Sequence, residues 1–187
     1  MRKLIVPALF LLSVVLYSCN GENASNENAE EANEEKFEDT DIGYDSEFAV
    51  KAASGGLMEV RLGELALANA GSEAVRDFGR SMIQDHGTAN QELQSMAQAK
   101  NITLPTVPDN DKLDKINKLA EKKGAEFDEA YIDLMVRDHK EDIELFKDEA
   151  GKGKDIDIKG WAASKIPALE HHLQMAESIQ DNMKNKK

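Results

Sequence analysis

Met82-Ile83-Gln84-Asp85-His86 and Met135-Val136-Arg137-Asp138-His139 are one five-residue pattern used twice. Aligned on the two Asp-His pairs, Phe78 falls on Tyr131 and Met82 on Met135, so the same helical face carries a histidine at the same height in both places. An apolar face recurring at three- and four-residue steps is the mark of a helix packed in a bundle. The echo predicts two such helices with a polar site at mid-height. It names no reaction.

Working outward, Val75, Phe78, Met82, His86, Ala89, Leu93 and Met96 form the seam of a helix from Ser72 to about Lys100. Before it, a helix from Ser46, taken as its N-cap, to about Ala70 carries Val50, Ala53, Leu57, Val60, Glu64 and Leu67, with a parallel line of small residues around Glu59. Only Gly71 and Ser72 separate the two, which predicts an antiparallel hairpin. Pro105 and Pro108 interrupt the pattern, and a short helix from about Asp111 to Lys122 is long enough to recross the bundle. A third long helix, about Ala125 to Ala150, carries Ile132, Met135, His139, Ile143 and Phe146. A fourth runs from about Asp155 to Met183 with Leu169, His172, Ala176 and Ile179 in register, and Pro167 is expected to kink or break it. The fold class expected is all-α: two hairpins joined by a short crossover helix, a four-helix bundle of ferritin-like connectivity over residues 46–183, with 184–187 as a tail.

The chain has 187 residues and a formal charge of −13, and its start has a separate character. Arg2 and Lys3 precede an apolar run from Leu4 to Leu16, too short for a membrane span, so residues 1–18 read as an export signal. Leu16-Tyr17-Ser18-Cys19 resembles a bacterial lipobox, in which the cysteine is acylated and holds the protein to a membrane. Cys19 is the only cysteine, so no internal disulfide can form. Residues 19–45 are acidic and almost free of apolar groups, which predicts a disordered tether. Neither this segment nor the rest is basic, so nucleic acid is excluded as a partner class. The location expected is the bacterial cell envelope, on the outer membrane; no protein partner is indicated.

Counted along their helices, Glu59, His86, His139 and His172 all fall near mid-length. Three imidazoles and a carboxylate at one level form a donor set for a first-row transition metal, with Asp142 one turn beyond His139 as a further ligand and Glu64 competing with Glu59. Asp85 and Asp138 precede their histidines by one residue and point about 100° away around the helix, which makes them poorer ligands. Release of metal is expected near pH 6–7, where free imidazoles take up protons. His171 is expected at the surface. Against the metal reading stands an envelope interaction or maintenance module whose histidines are structural. No Gly-x-Ser-x-Gly, glycine-rich phosphate loop, Cys-x-x-Cys or His-Glu-x-x-His motif occurs, so no catalytic residue is assigned.

Four stretches, Phe48 to Gly63, Val75 to His86, Phe127 to His139 and Ile166 to His172, resemble the family known as domain of unknown function 4142, exported or outer-membrane bacterial proteins. The resemblance implies a ferritin-like bundle and an envelope location, and no activity. Di-iron members of the wider fold carry Glu-x-x-His on two helices, whereas Ile83, Val136 and Leu169 stand three residues before the histidines here. Any metal site is therefore expected to be richer in histidine than a ferroxidase centre.

Overall fold

The computed structural model describes residues 25–38 and 40–185; the segment expected to be an export signal and Cys19 lie outside them. Among the described residues six helices follow one another: α1 (Asn26–Phe37), α2 (Ile42–Asn69), α3 (Glu73–Ala99), α4 (Asn110–Ala120), α5 (Gly124–Lys152) and α6 (Ile156–Lys184). The four long ones form the bundle, with α2 paired to α3 and α5 to α6. Ala70, at the end of α2, bridges to Gly124 at the start of α5. Asp128 on α5 accepts the backbone N–H groups of Gly71 and Ser72 at 2.9 Å each, so α3 and α5 start at the same end and run parallel. At the other end Asp45, in the first turn of α2, accepts the N–H groups of Lys154 and Asp155 in the α5–α6 turn. The crossover α4 climbs along α2, fastened by Asp109 to Ser54 at its foot and by Asn69 to the Ala120 carbonyl at its head.

Local chemistry places these ends. Ser72, Asp109 and Asp155 accept N–H groups of the first turns of α3, α4 and α6, the usual role of a helix N-cap. The α2–α3 pair closes on glycine: a Cβ on Gly79 would stand 2.7 Å from Ala66 Cβ, and one on Gly63 would stand 2.7 Å from the Gly79 carbonyl. That approach makes the line of small residues on α2, Ala52, Gly55, Glu59, Leu62 and Ala66, the buried face. Glu64 and Leu67, expected on the seam, are exposed. Small side chains count for little in a hydropathy pattern, yet they are what lets two backbones come together.

Three further expectations change. The acidic segment read as a disordered tether over 19–45 is helical from Asn26 to Phe37. Its docking is polar: Asn33 exchanges two hydrogen bonds with the Thr103 backbone at 2.7 and 2.8 Å, and Lys36 reaches the Asn101 carbonyl. Ser46 is not the cap of the first long helix; it lies inside α2 and donates to the Gly43 carbonyl. The fourth long helix runs through Pro167 as one element. Proline there is exposed, so the carbonyl it leaves without an intrahelical donor, four residues back, can turn to water.

Two apolar clusters fill the bundle. One, toward the Gly71–Gly124 end, holds Met58, Leu62, Phe78, Met82, Phe127, Tyr131 and Met135; the other holds Phe48, Ala52, Leu93, Ile143, Phe146, Ile158 and Leu169. Between them, every long helix carries a polar interruption of the core.

Candidate metal centre

That interruption is a layer made by Glu59 from α2, His86 from α3, His139 and Asp142 from α5, and His172 from α6. On α3 it falls between Met82 and Leu93, on α5 between Met135 and Ile143, and on α6 between Leu169 and Ala176. Glu59, His86, His139 and His172 are all buried. The ring centroids of the three histidines are 5.3, 5.5 and 5.7 Å apart, and one ring nitrogen from each lies within 4.8 Å of the others. Phe78 stands against the layer with its ring centroid 6.3 Å from His139 and 6.5 Å from His172.

Each imidazole is held through one nitrogen and leaves the other without a partner. His139 Nδ1 lies 3.0 Å from the Met135 carbonyl oxygen, His86 Nδ1 lies 2.6 Å from Glu59 Oε2, and His172 Nε2 lies 2.9 Å from Asp85 Oδ2. His139 Nε2, His86 Nε2 and His172 Nδ1 are buried and unpartnered, as is Glu59 Oε1, 3.5 Å from His139 Nε2. Buried polar atoms in native proteins are nearly always hydrogen-bonded, and four that are not, in one layer, set this level apart from the rest of the core. A carboxylate or carbonyl behind a histidine fixes its tautomer and leaves a lone pair aimed inward, which is how ligating histidines are supported.

Electrostatics keeps the layer neutral in charge terms. Burial, then the neighbouring imidazoles of His86 and His172, pushes His139 down to about 3. Burial also lowers His86 and His172. The Glu59 carboxyl is pushed well above the usual range by burial and by the nearby Asp138 charge. The histidines thus stay uncharged to lower pH than free imidazoles do, His139 most of all, while burial makes the Glu59 carboxyl hold its proton more tightly than a free one.

Asp85 and Asp138 are the residues that the one-residue offset from histidine undervalued. A bundle helix touches two neighbours, so a face about 100° from the seam is not necessarily solvent. Asp85 meets His172 across the α3–α6 contact. Asp138 lies under α4, 6% exposed, with Lys115 Nζ 4.0 Å from its Oδ1. The repeat itself carried the signal, since both copies read Asp-His. Of the other sequence candidates, Glu64 is outside the layer and His171 is exposed. A narrow crevice of about 20 Å³, lined by Gly56, Glu59, His86, Asn90, Asp142 and Trp161 among others, opens beside the layer. That is room for about one water or ion.

No curated protein sequence matches the chain significantly. A solved Streptomyces coelicolor protein of the DUF305 group, described as a candidate secreted protein, is similar in fold, with a TM-score of 0.64 at 15% identity. The match covers 74% of this chain and 92% of that one, and identity this low shows the fold alone. Among the described residues no helix is long and apolar enough to cross a membrane. The model of DUF4142, a domain of unknown function, matches residues 26–179, and the chain belongs to that family.

Proposed function

We propose that the protein is a lipid-anchored envelope bundle that binds a divalent first-row transition metal between His86, His139 and His172, with Glu59 closing the site. The observation that carries this reading is the pairing, on all three histidines, of one anchored nitrogen with one buried, unpartnered nitrogen. Imidazole nitrogen and a carboxylate suit zinc, iron, copper or nickel. With Zn–N bonds of about 2.0–2.1 Å, three rings that each bring one nitrogen within 4.8 Å of the others need only side-chain rotations to form a donor set. A purely structural layer would be expected to spend those nitrogens on partners.

Metal analysis of protein purified from its native compartment tests this. Wild type is expected to carry near-stoichiometric metal and to lose thermal stability with a chelator, by about 2.7 kcal/mol where free metal stood at 100 times Kd. His86→Ala/His139→Ala/His172→Ala should be metal-free and indifferent to chelator. Wild type that stays metal-free after incubation with zinc, iron and copper would leave the histidines as structural groups of an interaction module.

The anchor is the second half of the proposal. Cys19 closes a charged, apolar and small-residue sequence, and acylation there would hold the domain to the outer membrane by burying methylenes at about 0.8 kcal/mol each. Cys19→Ser should move the protein from the membrane to the soluble fraction. Unchanged fractionation would remove the anchor from the model of function without touching the metal site.

A further inference from the structure

Beside the histidines lies a group of oxygens. One carboxylate oxygen from each of Glu59, Asp138 and Asp142 lies within 4.8 Å of the others. Glu59 is 1% exposed and Asp138 6%, and Glu59 Oε1 and Asp138 Oδ2 have no hydrogen-bond partner. The lysines around them lie at the edge of the group. Lys112 is drawn to Asp109 at 2.6 Å, and Lys115 stands at 4.0 Å from Asp138 on the other oxygen, Oδ1. Buried carboxyls need a proton, a hydrogen bond or a counter-ion, and a cation could take the place of the protons that burial keeps on Glu59 and Asp138. The small crevice reaches both Glu59 and Asp142.

We propose that Glu59, Asp138 and Asp142 hold a second divalent cation, next to the one at the histidines and sharing Glu59 with it. This rests on the reading that the histidines bind a metal. The donors are all oxygen, which favours a harder ion such as manganese(II) or iron(II) over the soft end of the series. Glu59 borders both groups: its Oε2 lies 2.6 Å from His86 Nδ1 and its Oε1 3.5 Å from His139 Nε2, and one of its oxygens is within 4.8 Å of oxygens of Asp138 and Asp142. The result is an asymmetric pair, one ion ligated mainly by nitrogen and one by oxygen. Asp138 is the ligand that only the fold reveals.

The test is a count. Full-length chain stripped with chelator is loaded with excess Co²⁺, which accepts both nitrogen and oxygen donors, then desalted and analysed. Wild type is expected to retain two cobalt ions per chain, and Asp138→Asn/Asp142→Asn one. One ion in wild type, or two in the double variant, overturns the second site and leaves the histidine site standing; none in wild type overturns both. If the double variant does not fold, the wild-type count and the electron paramagnetic resonance spectrum of Mn²⁺-loaded wild type decide. An exchange-coupled spectrum is expected from two ions sharing a carboxylate, and an isolated-ion spectrum overturns the proposal.

Discussion

Replacing Phe78 with alanine is expected to destabilise the metal-free domain by about 3–5 kcal/mol, the range for truncating a buried aromatic core side chain. Phe78 is fully buried, and its ring touches three others: Tyr131 edge-on at 6.0 Å, His139 at 6.3 Å and His172 at 6.5 Å. Its removal loses the transfer free energy of the ring and leaves a cavity that helices fixed at both ends by Asp128 and Asp45 cannot easily close. A domain with a total stability of about 5–15 kcal/mol would become marginal. Because the cavity opens against two of the three histidines, metal affinity should fall as well. Phe78→Leu, which keeps most of the volume, should restore much of both. Denaturant unfolding of stripped protein gives the first quantity free of any ligand contribution, and a loss below about 1 kcal/mol would mean the ring is not the wall of the site.

What could be read from the sequence was what repeats along one helix. The seams of α3, α5 and α6 emerge within a residue or two of their observed ends, because Val75 to Met96 and Ile132 to Phe146 hold large apolar groups at regular steps and Gly, Ser and Asp punctuate them. Glu59, His86, His139 and His172 could be brought to one level from rise per residue alone. Features made by one helix meeting another were only partly legible. The small-residue line of α2 around Glu59 stands out beside the seam, but the close approach of Gly63 to Gly79 does not. Leu67, on the expected seam, is 42% exposed. Helix α1 docks through Asn33 and Lys36 and buries little beyond Ala29, so an argument from apolar content took it for a tether. Asp138 is buried beside Lys115 of α4, a neighbour that the periodicity of its own helix does not register. Periodicity reports the face toward the main core; it is silent on the second neighbour.

Glu149→Gln is expected to make the domain more stable than wild type at pH 8 and nearly equal to it at pH 5. Glu149, near the end of α5, is 1% exposed, and neither carboxyl oxygen accepts a hydrogen bond. It packs beside the turn where buried Asp45 accepts the Lys154 and Asp155 N–H groups. Burial first, then Asp45 as hydrogen-bonding neighbour and as a charge, and then the Asp148 charge push its carboxyl up to about 8; Lys159 opposes them. The folded chain therefore keeps a proton that the unfolded chain releases above its ordinary value of 4.5. Where the native state binds more protons than the unfolded state, stability falls as pH rises. The loss runs from about pH 4.5 to about pH 8 and, at about 1.4 kcal/mol per unit of displacement, reaches up to about 4 kcal/mol. Glutamine has no proton to lose, and its amide N–H can face Asp45 as the protonated carboxyl does. Comparing stripped wild type and Glu149→Gln by denaturant unfolding at pH 5, 6.5 and 8 cancels the titration of the histidine layer, which both proteins share. A stability gap that does not widen with pH would show that Glu149 is already ionised in the native state, its charge met by a cation at the α5–α6 turn.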